Sequence, residues 1–118
     1  MSRTIFGALR AQRGFERRHL CFLRTLEDRD LLYEIGYHQM RGKPLGLKQL
    51  LLLGIASVPT VQRRLRRLRQ AGAIRQQRAS HDRRVIEVTL APRIAQIFSR
   101  YDELVEKDAP GGVNVNDP

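Results

Sequence analysis

The chain has 118 residues, 42% of them hydrophobic, and a formal charge of +10 at pH 7. That length supports one domain with a single modest core, and no run approaches the ~18 consecutive apolar residues of a membrane-spanning helix. A single cysteine, Cys21, excludes an intramolecular disulfide framework and fits a reducing cytoplasm, and the N-terminal stretch lacks the apolar segment of a secretory signal.

Residues 2–13 are expected to form a short helix capped by Ser2, with Ile5, Phe6 and Leu9 on one side and Gly14 at its end. A second helical stretch is expected from Phe15 to Arg24, presenting Phe15, Phe22 and Leu23. The first 26 residues hold six arginines against Glu16, a net +5. Thr25 followed three residues later by Asp28 resembles a capping arrangement, which starts a helix running through Leu31, Leu32, Ile35 and Met40. Arg41-Gly42-Lys43-Pro44 ends it, because glycine permits the terminating turn and proline cannot continue a helix. Leu47 to Leu53 is apolar nearly all round and predicts a buried short helix, with Gly54 as the following turn.

Ser57 is a good N-cap for the next helix, and Pro59 is tolerated in a first turn. Val61, Leu65 and Leu68 recur at i, i+4 and i+7, so this helix carries one narrow buried stripe with every arginine off it. Gly72 closes it. Ile74 to Arg78 reads as extended, "ASHDRR" has turn chemistry, and "VIEVTL" alternates Ile86, Val88 and Leu90 against Glu87 and Thr89. The two runs predict an antiparallel hairpin with an arginine-rich tip. Residues 57–84 hold nine arginines against Asp82, a net +8, which is the electrostatic footprint of a polyanion binder. From Arg93 a helix is expected with Ile94, Ile97, Phe98, Tyr101, Leu104 and Val105 on one face. The tail "APGGVNVNDP", residues 109–118, has no periodicity and is expected to be disordered.

The expected fold class is therefore mainly α with a small β-hairpin: a winged helix-turn-helix with flanking N- and C-terminal helices. Segments 1–26 and 93–108 would serve dimerisation and 27–92 would bind DNA. The helix over 57–71 would read the major groove. Base contacts are expected from Pro59, Thr60, Gln62 and Arg63, because glutamine pairs bidentately with adenine, arginine with guanine, and a threonine methyl can touch thymine. Phosphate contacts are expected from Ser57, Arg64, Arg66 and Arg67, with Arg69 further along. Arg78, His81, Asp82, Arg83 and Arg84 form the wing set. A protein-interaction or RNA-binding winged helix is the alternative. Seven aromatic residues, none of them tryptophan and none interleaved with the basic stretch, argue against stacking on single strands. His19, His38 and His81 have no metal-ligand spacing, and no catalytic constellation is legible, so neither enzyme activity nor a cofactor is expected.

The stretch "ASVPTVQRRLRRLRQAGAIRQQRASHDRRVIEVTLAP" resembles the recognition helix and wing of the MarR-type winged helix-turn-helix transcriptional regulators. The likeness rests on Thr60-Val61 with Arg63, on Leu68 and Gly72, on Asp82-Arg83-Arg84 as the Asp-x-Arg wing signature, and on Val88 and Leu90. It implies a homodimeric repressor of the cytoplasm, open to a small-molecule inducer, whose wing over 78–86 reads the minor groove, with Arg84 entering it and Asp82 orienting neighbouring arginines. Cys21, in "HLCFL", resembles the cysteine helix of single-cysteine peroxide sensors of the same family, with Tyr33 and Tyr37 as hydroxyl partners. A buried, inert cysteine is the other reading.

Overall fold

A computed structural model describes the backbone of residues 4–108 and the side chains of residues 4–102. Its elements are α1 (Ile5–His19), α2 (Leu26–Met40), β1 (Leu45–Gly46), α3 (Leu47–Leu51), α4 (Val58–Gln70), β2 (Ile74–Arg78), β3 (Ile86–Leu90) and α5 (Pro92–Asp108). They divide into two compact units. Of the described residues, those up to Cys21 and those from Gln96 on form one, and Phe22–Ala95 forms the other.

In the first unit, α1 is one continuous helix where the sequence suggested two. Gly14 lies inside it. An interior glycine costs only about 1 kcal/mol relative to alanine, which the helix-forming residues on either side offset, and the Arg18 Nε donates to the Gly14 carbonyl at 3.3 Å. Thr4 is the N-cap, its Oγ1 accepting from the Gly7 N–H at 3.1 Å. The expected Ser2 cap lies outside the described residues. The helix ends at His19, short of the expected Arg24, with Arg17, Arg18 and His19 complementing the negative end of its dipole. Phe15 stacks on Tyr101 at 4.1 Å between ring centroids and tilts against Phe98 at 5.6 Å. Ile5, Phe6 and Leu9 are exposed, Phe6 at 78%.

The second unit is built on α2. Thr25 caps it as expected, its Oγ1 accepting from the Asp28 N–H at 3.1 Å, and Leu31, Leu32 and Ile35 are buried. Gly42, at φ 80°, makes the terminating turn that a side chain would strain. The next element, β1, has no counterpart in the sequence reading, because two residues are too few to show an alternation. It pairs antiparallel with β3, Leu45 opposite Val88 and Gly46 opposite Glu87. β2 pairs with the other side of β3 from Ile74–Leu90 to Arg78–Ile86, giving the order β1-β3-β2. The hairpin is therefore part of a three-stranded sheet. Val88 at its centre has no exposed surface.

α3 is also shorter and less buried than its composition predicts. Gln49 Oε1 accepts from the Gly46 N–H at 3.0 Å at its start, and a single helical turn leaves room for one inward side chain, Leu50. Leu52 and Leu53 are exposed beyond its end. In α4 the expected stripe is present: Val61, Leu65 and Leu68 are buried and Ser57 is the N-cap. The side chain of Gln39 ties α2 to the sheet, its Oε1 accepting from the Leu90 N–H at 2.7 Å. Ile94 at the start of α5 is fully buried. The side chains of Leu104 and Val105 and the tail 109–118 lie outside the described residues.

Leu65 and Leu52 should therefore respond differently to truncation. Leu65→Ala is expected to destabilise the fold by about 2–5 kcal/mol and Leu52→Ala to stay within about 0.5 kcal/mol, read from denaturant unfolding midpoints.

Candidate nucleic-acid interface

Docking α4 by Val61, Leu65 and Leu68 turns a regular row outwards. Pro59, Gln62, Arg63, Arg66 and Gln70 recur at three- and four-residue steps and are all exposed. The first turn is ordered before any partner arrives. The Ser57 Oγ accepts from the Thr60 N–H at 3.4 Å and donates to Thr60 Oγ1 at 2.9 Å. Thr60 Oγ1 also accepts from Arg63 Nη2 at 3.3 Å, so the Arg63 guanidinium sits over the start of the helix. Ser57, Thr60 and Arg63 are thus linked through Thr60, which is half-buried, while Ser57, Pro59, Gln62 and Arg63 are exposed.

The arginines of α4 separate into different environments. Arg67 Nη2 pairs with Asp28 Oδ2 at 2.6 Å and donates to the Phe22 carbonyl at 2.9 Å. Arg64 Nη1 lies 3.7 Å from Asp28 Oδ1. Arg69 Nη1 donates to Gln76 Oε1 at 2.9 Å, linking α4 to β2. Arg66 is exposed and belongs to the outward row. Arg67, expected to meet phosphate, is thus held inwards by a carboxylate that has no exposed surface. Sequence periodicity carries no sign of this, since the partner lies 39 residues away.

The wing is organised by Asp82. Its Oδ1 accepts from the Arg84 N–H at 3.0 Å and from Arg84 Nε at 3.1 Å, and its Oδ2 accepts from Arg84 Nη2 at 3.3 Å. The Arg84 side chain remains 92% exposed. Arg78 Nη1 donates to the Arg83 carbonyl at 2.7 Å, and the Ala79 N–H to the Val85 carbonyl at 2.8 Å, closing the hairpin behind the tip. His81 and Arg83 are exposed. The Arg84 guanidinium and then its backbone N–H hold the Asp82 carboxyl below the usual carboxylate value, with His81 acting in the same direction.

An open groove of about 1110 Å³ runs between the wing and the β1 edge, lined among others by His38, Lys43, Lys48, His81 and Arg84. The sequence marks His38 only as a histidine without metal-ligand spacing, and Lys43 and Lys48 do not stand out in it because they lie in an otherwise charge-balanced segment. His38 Nε2 is 3.4 Å from Glu34. Cys21 is a free thiol just beyond α1 and is exposed, which corrects the expectation of a buried cysteine. The Tyr37 hydroxyl accepts from Arg41. Among the described residues no group of three or more His, Cys, Asp or Glu could hold a metal ion, and no helix is long and apolar enough to cross a membrane.

No protein-family model and no curated protein matches the sequence. Solved structures do share the fold. The Staphylococcus aureus MepR–DNA complex is similar at a TM-score of 0.60 and 17% identity, over 85% of this chain and 79% of that one. A structure of MarR is similar at 0.51 and 22% identity, over 87% and 78%. An Escherichia coli MarR variant complexed with operator DNA is similar at 0.53 and 20% identity, over 81% and 66%. The architecture is thus the winged helix-turn-helix of these proteins.

A carboxylate with a depressed folded-state pKa contributes order that is fully present above its unfolded value and is lost as pH falls through the folded value. The Asp82 clamp on Arg84 should therefore persist down through the ordinary aspartate value of 3.8 and open only below it. Amide chemical shifts of Arg84 and Val85 should report that transition, and Asp82→Asn should abolish it.

Proposed function

We propose that this chain is a sequence-specific double-stranded DNA-binding regulator of transcription, reading the major groove with α4 and the minor groove with the wing. The observation that carries the proposal is the outward row of α4, in which Pro59, Gln62, Arg63 and Arg66 face solvent from a helix anchored by its opposite side. A helix fits the major groove of B-form DNA, and its first turn meets base edges. Ser57 and Arg63 are each hydrogen-bonded to Thr60 in that turn, so less ordering entropy is lost on contact. Pro59, Thr60, Gln62 and Arg63 would meet bases. Ser57, Arg66 and the partly exposed Arg64 would meet phosphates.

The wing reading rests on Arg84, which is exposed while its guanidinium is aimed by Asp82. A narrow minor groove concentrates negative potential and attracts such a side chain. Arg78, His81 and Arg83 add positive charge beside it. Two of the similar structures hold DNA, one of them operator DNA, which is consistent with this use of the fold.

We further propose a homodimer joined through the helical segments 1–26 and 93–108. The exposed Ile5, Phe6 and Leu9 of α1 support it, since contiguous exposed apolar surface marks interfaces. A two-fold dimer presents two reading helices to an inverted repeat. The cytoplasm is the compartment in which such a regulator meets DNA.

Selection of bound duplexes from a random library should return an inverted repeat. An unstructured output, or A-form RNA competing as well as duplex DNA at matched salt, would refute the reading. Arg63→Ala should cost about 1–3 kcal/mol on the selected site and relax preference at one position. Arg84→Ala should weaken binding while leaving the major-groove preference unchanged.

A further inference from the structure

The arginines of α4 divide because of one buried carboxylate. Asp28 Oδ2 accepts from Arg67 Nη2 at 2.6 Å and from the Arg24 N–H at 3.0 Å. Oδ1 faces Arg64 Nη1 at 3.7 Å, beyond hydrogen-bonding distance, and Oδ1 and Arg67 Nε are buried without a hydrogen-bond partner. The two arginine side chains keep 26% and 23% exposure, so both sit at the boundary between the core and solvent.

Stability alone is a poor reason for this arrangement. A well-packed apolar pair often serves as well as a buried ion pair, and unsatisfied buried polar atoms are unfavourable. The arrangement does settle which cations remain available to a polyanion: Arg63 and Arg66 face outwards, while Arg67 is taken by Asp28 and Arg64 is drawn towards it.

We propose that Asp28 is a positioning residue for DNA discrimination: its carboxylate withholds Arg67, and partly Arg64, from the phosphate backbone, and so limits sequence-independent attraction relative to base reading. The inference rests on the DNA-binding reading above. Non-specific affinity comes almost entirely from neutralised phosphates, each contributing a slope of about 0.9 in log affinity against log salt. Five arginines lie between Arg63 and Arg69. Without an internal counter-charge they repel one another towards solvent, where a duplex backbone would meet them. The side-chain hydrogen bonds of the first turn run from Ser57 to Thr60 and from Arg63 to Thr60, whereas the ion pairs of Asp28 are with Arg64 and Arg67, so the counter-charge falls on the unspecific part of binding.

The test is the salt dependence of binding by the full chain, on a random duplex and on the selected duplex. Asp28→Asn keeps an oxygen for the Arg24 N–H but removes the charge. It should raise random-duplex affinity on the order of fivefold near 0.1 M salt, steepen the slope by about one and lower the specific-to-random ratio. In the native background, where folding is not at issue for an exposed residue, Arg66→Gln should reduce the slope by about one. Arg64→Gln and Arg67→Gln should each reduce it less. Either of them matching Arg66→Gln would overturn the inference, as would a folded Asp28→Asn protein with unchanged slope and ratio. A wild-type protein with no salt-dependent duplex binding would instead remove the DNA reading itself, and the inference with it.

Discussion

The contact between Asp28 and Arg67 joins three parts of the second unit that the chain keeps far apart. Asp28 belongs to the first turn of α2, where its N–H is already given to Thr25. Its carboxylate holds the Arg24 N–H of the preceding loop, and Arg67 reaches from α4 to both that carboxylate and the Phe22 carbonyl. A helix that buried only Val61, Leu65 and Leu68 could roll about its axis at modest cost, because apolar packing is not directional. An ion pair at fixed geometry removes that freedom. The same pair carries risk, since truncating one member of a buried pair typically costs about 3–5 kcal/mol.

The sequence was most informative where one physical signal sufficed. The stripe of α4, its Ser57 cap, the Thr25 cap of α2 and the alternation of β3 all come from local spacing, and each is present in the fold. It was least informative where two signals competed. Gly14 reads as a stop, yet the surrounding helix formers outweigh a penalty of about 1 kcal/mol. Leu47 to Leu53 reads as buried, yet the chain turns before the last leucines reach the core, leaving Leu52 exposed. β1 left no pattern because its pairing partner, β3, is distant and its length is two residues.

Within the candidate interface, residue type and position on the helix were legible, and side-chain partnership was not. The charge of +8 over residues 57–84 is a sum, and a sum does not show which cations are spoken for. Arg84 and Asp82 are two residues apart, so a local motif was enough to pair them. Arg67 and Asp28 needed the fold. Lys43 and Lys48 were similarly hidden, because the groove they line with Arg84 exists only once β1 has paired beside the wing.

That pairing has a second effect, on self-association. A two-stranded ribbon would expose both flanks of its backbone, each a template onto which another chain could add a strand. β1 occupies the outer flank of β3 with the fewest residues that form a ladder. The opposite flank belongs to β2, whose sequence Ile74-Arg75-Gln76-Gln77-Arg78 places exposed cations on the open edge. One edge is reduced to a two-residue strand and the other is charged, so the same arginines that make the hairpin attractive to a polyanion also work against two hairpins zipping together.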